Sequence, residues 1–302
     1  SFPSVKTLET VTDDPKELNP FSYVMEKHQR NYGGNGKIAK YMQAAYRYPE
    51  NFSDFVYASQ LLQADGIRYG VEHYRRNRGR CMGAIYWQLN DCWPVISWSS
   101  IDYYGRWKAL HYYAKRFFAP VMLSCEEQSW MTVEADMNRQ HFEFEKSIRL
   151  NVTNETLDAH RVLVKWAVRK TDATILREEE QWLEVPALSA VWMDKVELPQ
   201  IDCFNEYVSY EAWENDQIIS QGTVIFSYPK YFHYLNPGLA VRVDGDEIVV
   251  KAEAYAKSVE IRNENDDLIL EDNYFDMNAG EYRVKILDGK PDGLKVRSVY
   301  DI

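Results

Sequence analysis

Cysteine is scarce in this chain, four residues in 302, and none of Cys81, Cys92, Cys125 or Cys203 sits in a CxxC spacing or has a histidine at a zinc-ligand interval. That excludes a small disulfide-stapled scaffold and a structural zinc site. The four are read as free core thiols, which leans towards a reducing, cytoplasmic setting. The sequons at Asn51, Asn151 and Asn154 would permit glycosylation in a secretory pathway, so lysosomal and secreted locations stay open beside it. Long apolar runs are also missing: none approaches the roughly 20 residues that cross a bilayer, and no charged segment followed by a hydrophobic one opens the chain. Membrane insertion is not expected. Positive charge is in deficit, with a formal net charge of −11, which disfavours nucleic acid as a partner. The one basic cluster, Arg75, Arg76, Arg78 and Arg80, lies at the end of a predicted helix, where cations complement the macrodipole.

What is present is the composition of a folded globular protein, 45% hydrophobic and 27% charged, long enough for two or three units. The pattern changes along the chain. Up to about Pro120 it reads as helices around a single apolar strand; beyond Leu123 it alternates in short strand-like runs. Ser53 is placed to cap a helix carrying Phe55, Ala58, Leu62 and Tyr69 on one stripe and ending at Gly79. The run Met82 to Leu89 is short and continuously apolar, so it is expected to be a strand buried on both faces. A second helix follows, with Trp107, Leu110, Ala114 and Phe117 at helical spacing before Pro120. Helix, buried strand and helix form a piece of an α/β fold with a parallel sheet. One parallel strand needs neighbours on both sides, and nothing else in this half supplies them, so the partner strands are expected upstream of Ser1.

The later half offers seven strand candidates: Trp130 to Ala135, Phe142 to Val152, Val162 to Val168, Leu183 to Val185, Val191 to Leu198, Tyr207 to Trp213 and Ile218 to Phe226. Seven short strands suit an immunoglobulin-like sandwich. A second, smaller sandwich is expected from about Tyr228, with Asp244-Gly245 as a hairpin turn between Val241–Val243 and Ile248–Lys251. The expected division is therefore 1–123, 124–227 and 228–302: α/β first, then all-β.

The chemistry is concentrated in Tyr86-Trp-Gln-Leu-Asn-Asp-Cys-Trp-Pro94 and the following Ser97-Trp-Ser-Ser100. A buried strand running into a loop of Trp, Asn and Asp sets rings and planar polar groups at the strand's C-terminal end, where α/β barrels build their sites. Sugars need that pairing: an aromatic face for the ring C–H surface and polar groups for the hydroxyls.

Gly83 to Pro94, Ser97 to Tyr113 and Phe117-Phe-Ala-Pro120 together resemble the last barrel strand and helix of the β-mannosidases of glycoside hydrolase family 2. Ser1-Phe-Pro-Ser4, Thr7-Leu-Glu9 and His28 to Asn35 resemble the segment after the seventh barrel strand of those enzymes, and Asn273 to Glu281 their terminal immunoglobulin-like domain. The resemblance implies the C-terminal remnant of a TIM (β/α)8 barrel followed by two immunoglobulin-like sandwiches. It also implies part of an exo-acting retaining β-mannosidase that releases terminal β-D-mannose without metal or organic cofactor. Its substrates would be β-mannosides or manno-oligosaccharides. In the family both catalytic glutamates precede the stretch matched by Ser1 to Ser4, so this chain alone is expected to be inactive and to need the upstream barrel portion of the same protein. Retaining hydrolysis uses two carboxyl groups about 5–5.5 Å apart, and Asp91 alone cannot fill both roles. Carried over from the family, Trp87 is the wall of the subsite for the non-reducing sugar, followed by a non-proline cis peptide at Trp87-Gln88. Asn90 and Asp91 shape the same rim, with Trp93 and Trp98 as further candidates. Asp91 also reads as a loop residue that orders the turn. His28 and Arg30 sit on a Gly-rich loop within reach of the entrance.

Two rival functions are carried: a related family 2 glycosidase of the exo-β-glucosaminidase or β-galactosidase type, and a non-catalytic carbohydrate-binding module built on the sandwiches. Against the second, Trp166, Trp182 and Trp192 fall in strand-like runs, where core packing is the expectation. The acidic clusters Glu126-Glu127 and Glu178 to Glu180 are expected to be solvated.

Overall fold

In a computed structural model that describes residues 1–133 and 143–302, the first 120 residues are helical and the rest is almost wholly β. The helices are α1 (Val5–Leu8), α2 (Tyr23–Lys27), α3 (Gly34–Ala45), α4 (Phe52–Arg76) and α5 (Ala109–Phe117). Helix α4 is capped by Asn51, whose side-chain Oδ1 accepts the Asp54 N–H at 2.9 Å, two residues earlier than the expected Ser53. Among the described residues no helix is long and apolar enough to cross a membrane.

Strands β1 (Val121–Gln128), β2 (Ser147–Asn154), β3 (His160–Lys170), β4 (Ile175–Val185), β5 (Ser189–Trp192), β6 (Val196–Glu197), β7 (Glu206–Glu214) and β8 (Gln217–Ile225) form two antiparallel sheets. One runs β1-β2-β5 with β6 also on β2; the other runs β4-β3-β7-β8. Alternate residues of both face a shared core that includes Ile148, Leu150, Val152, Val162, Val164, Trp166, Val208 and Phe226. That is the layered arrangement of an immunoglobulin-like sandwich. Several sequence expectations change here. Leu123, read as a boundary, lies inside β1. Trp130 to Thr132 forms a 3₁₀ turn rather than the start of a strand, and residues 134, 135 and 142 of the two candidates there lie outside the described residues. Ser129 stabilises that turn by a capping box, which takes the backbone out of extended geometry.

Within β8, Gly222 faces Tyr210 of β7 in register, and a Cβ there would stand 2.4 Å from the Tyr210 hydroxyl oxygen. Gly222→Ala is therefore expected to cost about 1–3 kcal/mol by overpacking. Urea denaturation should show a lower midpoint at unchanged slope; an unmoved midpoint would mean that the ring swings aside.

The remaining strands are β9 (Ala240–Asp244), β10 (Glu247–Ala252), β11 (Ala256–Arg262), β12 (Ile269–Leu270), β13 (Phe275–Met277), β14 (Gly280–Asp288) and β15 (Lys295–Arg297). They pair as β12-β14-β10-β9 and β13-β11-β15. The expected hairpin between β9 and β10 is present, shifted by one residue: Asp244 pairs with Glu247, so the turn residues are Gly245 and Asp246, with Gly245 at φ 67° as a primed turn requires.

By contact density the chain forms two compact units, Ser1–Arg68 with Ile85–Lys115 and Asn236–Ile302, and Tyr69–Ala84 with Arg116–Leu235. In the first, helix α4 packs on the terminal domain through buried polar groups. Tyr57 donates its hydroxyl to the Ser258 carbonyl at 2.6 Å, and Arg297 pairs with Glu260 and, at 3.0 Å, with Asp54. In the second, the arginines expected only to serve the helix dipole make specific bonds. Arg75 donates to the Phe117 carbonyl at 2.7 Å, Arg76 to that of Cys125 at 3.3 Å, and Arg78 pairs with Glu155. Glu127, expected to be solvated, is buried and accepts the Tyr69 hydroxyl, whereas Glu178 to Glu180 are exposed as read. Of the four thiols, all free, only Cys125 is a core residue; Cys92 is exposed. Two sequon asparagines, Asn151 and Asn154, lie fully buried in β2, and Asn154 donates to the carbonyls of Asp158, Val185 and Pro186; Asn51 is exposed.

Candidate functional site: the rim at residues 86 to 102

The clearest departure from the sequence reading is the run Met82 to Leu89. Expected as a strand buried on both faces, it forms no ladder with any strand among the described residues. Ile85 is 100% exposed and Trp87 73%, with Met82 and Leu89 also open. The reason is the one the sequence raised: an apolar strand is buried only by neighbours, and none of the strands among the described residues pairs with this run. Residues that sequence reasoning treated as barrel interior are therefore surface here.

Order begins immediately after it. The Trp87-Gln88 peptide is cis, as the resemblance implied. Ser100 donates its N–H to the Gln88 carbonyl at 3.0 Å, Ile101 to that of Leu89 at 2.8 Å, and Asn90 bridges Ile101 in parallel. Asp91 anchors the intervening loop. Its carboxylate is 7% exposed and accepts Ser97 Oγ at 2.8 Å, Ser99 Oγ at 2.5 Å and Gln88 Nε2 at 3.3 Å. Those bonds turn Asp91 inwards, so the geometry is that of a residue ordering the turn. The Ser97-Trp-Ser99 alternation carried the signal for this, because residues two apart on an extended segment present both hydroxyls to one side.

The other candidates are placed unequally. Asn90 is exposed beside Trp87. Trp93 is 38% exposed, with the His28 ring 5.1 Å from it at a tilt of 35°. His28 Nδ1 lies 2.5 Å from the Pro94 carbonyl, and the backbone of residues 28 to 30 pairs with Ile96, so this loop is a second wall of the rim. Trp98 is half-buried and its carbonyl accepts Gln63 Nε2 at 2.7 Å, which makes it a support beneath the surface. The structure thus gathers Trp87, Asn90 and Trp93 on exposed rim and sets Asp91 and Trp98 behind them. Among the described residues no group of three His, Cys, Asp or Glu side chains is placed to hold a metal ion.

Sequence reasoning missed Lys108, whose side chain is buried beneath this loop and whose Nζ has no hydrogen-bond partner among the described residues. Burial pushes its ammonium down to about 8, while Asp91 and Asp102 pull the other way. Between pH 8 and the ordinary 10.5 the unfolded chain holds more protons than the folded one, so stability from this group rises with pH across that window. Lys108→Met is accordingly expected to stabilise the chain at neutral pH by on the order of 2 kcal/mol. The gain should fade as pH passes 10.5. Thermal melts at the two ends of that window check it; an equal gain at both would show that the ammonium is not its source.

Two domain families match in tandem: residues 146–231 match a mannosidase Ig/CBM-like domain, and residues 234–302 an Ig-fold domain of mannosidases. A β-mannosidase B of Thermothelomyces thermophilus is 29% identical along 99% of this chain and 38% of its own length. A β-mannosidase of Capra hircus is 38% identical over 40% of the chain and 15% of its own length. The chain thus spans well under half of these relatives. Among solved structures, a β-D-mannosidase of Dictyoglomus thermophilum superposes with a TM-score of 0.85 at 24% identity, over 99% of this chain and 36% of that one. An exo-chitosanase of Amycolatopsis orientalis superposes at 0.67 and 16% identity, over 99% of this chain and 41% of that one, which extends the likeness of fold. With paired mannosidase domains, β-mannosidase relatives and the same chain path, this chain belongs with the C-terminal regions of the β-mannosidases of glycoside hydrolase family 2.

Proposed function

We propose that this chain is part of an exo-acting retaining β-mannosidase, in which it supplies one wall of the sugar pocket and two immunoglobulin-like domains. The observation that carries the reading is the exposed indole of Trp87 on an unpaired apolar run that leads into an ordered rim. In the proposal, residues 82 to 89 are the last strand of a (β/α)8 barrel and are covered by the upstream strands of the same protein. Trp87 stacks on the non-reducing mannose, Asn90 bonds its hydroxyls, and Trp93 with His28 lines the entrance. Asp91 and Trp98, set behind the surface, hold that rim in place. Both catalytic carboxylates belong to the upstream portion, since Asp91 is buried and committed to Ser97, Ser99 and Gln88, and retaining hydrolysis needs a pair facing the sugar.

The test is an assay of the 302-residue chain beside a longer polypeptide that includes the upstream barrel, each with an aryl β-mannoside. The short chain should give no turnover and the longer one should hydrolyse it. Hydrolysis by the short chain would overturn the division of labour. A longer polypeptide that preferred an aryl β-glucosaminide or β-galactoside would keep the glycosidase and replace the sugar.

A further inference from the structure

The solvent side of the β4-β3-β7-β8 sheet departs from the polar pattern expected of the outer face of an antiparallel sandwich. Trp182 of β4 lies directly across from Leu163 of β3, and Leu163 directly across from Trp213 of β7. With neighbouring strands about 4.8 Å apart, the two tryptophans stand roughly 10 Å from one another on one row. Trp182, expected from the sequence to be a core residue, is 54% exposed, while Trp166 on the opposite face does fill the core. Next to this row is a hollow of about 440 Å³ whose floor includes the small residues Ala167 and Ser209 and whose wall includes Lys165, Glu180 and Glu211.

We propose that this face binds an extended, uncharged, β-linked oligosaccharide, with Trp182 and Trp213 as stacking platforms and the adjoining hollow taking its hydroxyls. The spacing suits alternate rings of a flat glycan chain, which offers a C–H face to each indole. Charge decides the chemical class. Lys165 pairs with Glu180 at 3.4 Å, Arg161 with Glu184 at 3.4 Å, and Trp213 Nε1 donates to Glu211 at 2.8 Å. An ionic ligand would have to break these pairs, whereas neutral hydroxyls can share their donors and acceptors. Arg161 lies 4.6 Å from the Trp182 ring, which is 54% exposed, and Lys165 5.5 Å from that of the half-buried Trp213. Both cations are solvent-exposed, and cation–π contacts of that kind are weak, so a sugar ring displaces them. A protein partner would call for a broad apolar centre inside a polar rim, and here charged groups run through the middle.

The choice of a manno-oligosaccharide as probe rests on the proposed function; the surface itself does not. Calorimetric titration of the 302-residue chain with mannohexaose should show saturable binding with a Kd on the order of 1 mM. Trp182→Ala and Trp213→Ala should each weaken it roughly tenfold or more with unchanged circular dichroism, and Tyr48→Ala, at an exposed ring outside this sheet, should leave it intact. Absence of binding, or binding that survives both sandwich substitutions, overturns the proposal. Loss on Trp87→Ala would move the binding to the rim, which overturns this inference and leaves the enzymatic reading standing. Self-association in sedimentation that disappears with the two sandwich substitutions would make the face a contact between copies and overturn it equally.

Discussion

Arg297→Met is expected to lower the melting temperature of the chain by roughly 10 °C, the largest loss predicted for a single side chain here. Its guanidinium is nearly buried, pairs with Glu260, donates to Asp54 at 3.0 Å and Ser53 at 3.1 Å, and lies 4.4 Å from the centre of the Tyr57 ring. Burial is the largest influence and works against its charge, but the Glu260 carboxylate together with Tyr57 and Tyr274 more than offsets it and holds the guanidinium above the ordinary arginine range. Removing the arginine leaves Glu260 buried with only the Tyr274 hydroxyl, at 2.8 Å, among its bonds described here. An uncompensated buried charge of that kind costs about 3–5 kcal/mol, more than the pair itself contributes. The double variant with Glu260→Gln should therefore recover part of the loss, a non-additivity that thermal or urea melts measure directly. Additive losses would show that the two side chains act independently.

The second large effect concerns activity. In the longer polypeptide that carries the catalytic carboxylates, Trp87→Ala should lower kcat/KM for an aryl β-mannoside by roughly thirtyfold or more, the equivalent of about 2 kcal/mol of lost stacking. Because the ring is exposed in this chain, thermal stability of the short chain should barely move, which separates a binding role from a structural one. Unchanged kcat/KM would remove Trp87 from the sugar pocket. Asp91→Asn provides the contrast. It should disturb the loop through Ser97, Ser99 and Gln88, and so lower both stability and activity, as a positioning residue does.

The parts of this fold legible in the sequence are those fixed by local periodicity. Helix α4 and the β9–β10 hairpin depend on residues a few positions apart, and both are present, although the buried stripe of α4 runs through Phe55, Ala58, Leu61 and Ala64 with Tyr69 exposed, and the turn is Gly245-Asp246. Strand β1 was passed over because Val121 to Gln128 follows directly on a helix and a proline, so its alternation was absorbed into a boundary. The run from Met82 was misjudged for the converse reason. Its apolar character states what it needs, and whether that need is met depends on chain far from it in sequence. At the candidate site, the cis peptide after Trp87 follows from the resemblance, but the exposure of that ring, the inward turn of Asp91 towards serines six and eight residues away, and the orphan ammonium of Lys108 depend on packing that no local pattern reports. Trp182 and Trp166 show the limit of strand reading most simply: both lie in strands, and only the register decides which side faces water.

The buried asparagines of β2 bear on how the protein can be produced. An oligosaccharyl transferase acts on chains before they fold, and a glycan attached to Asn151 or Asn154 would be carried by a side chain that the folded domain buries completely. A host that decorates nascent polypeptides would divert those molecules to quality control, and only Asn51 can carry a glycan in a mature product.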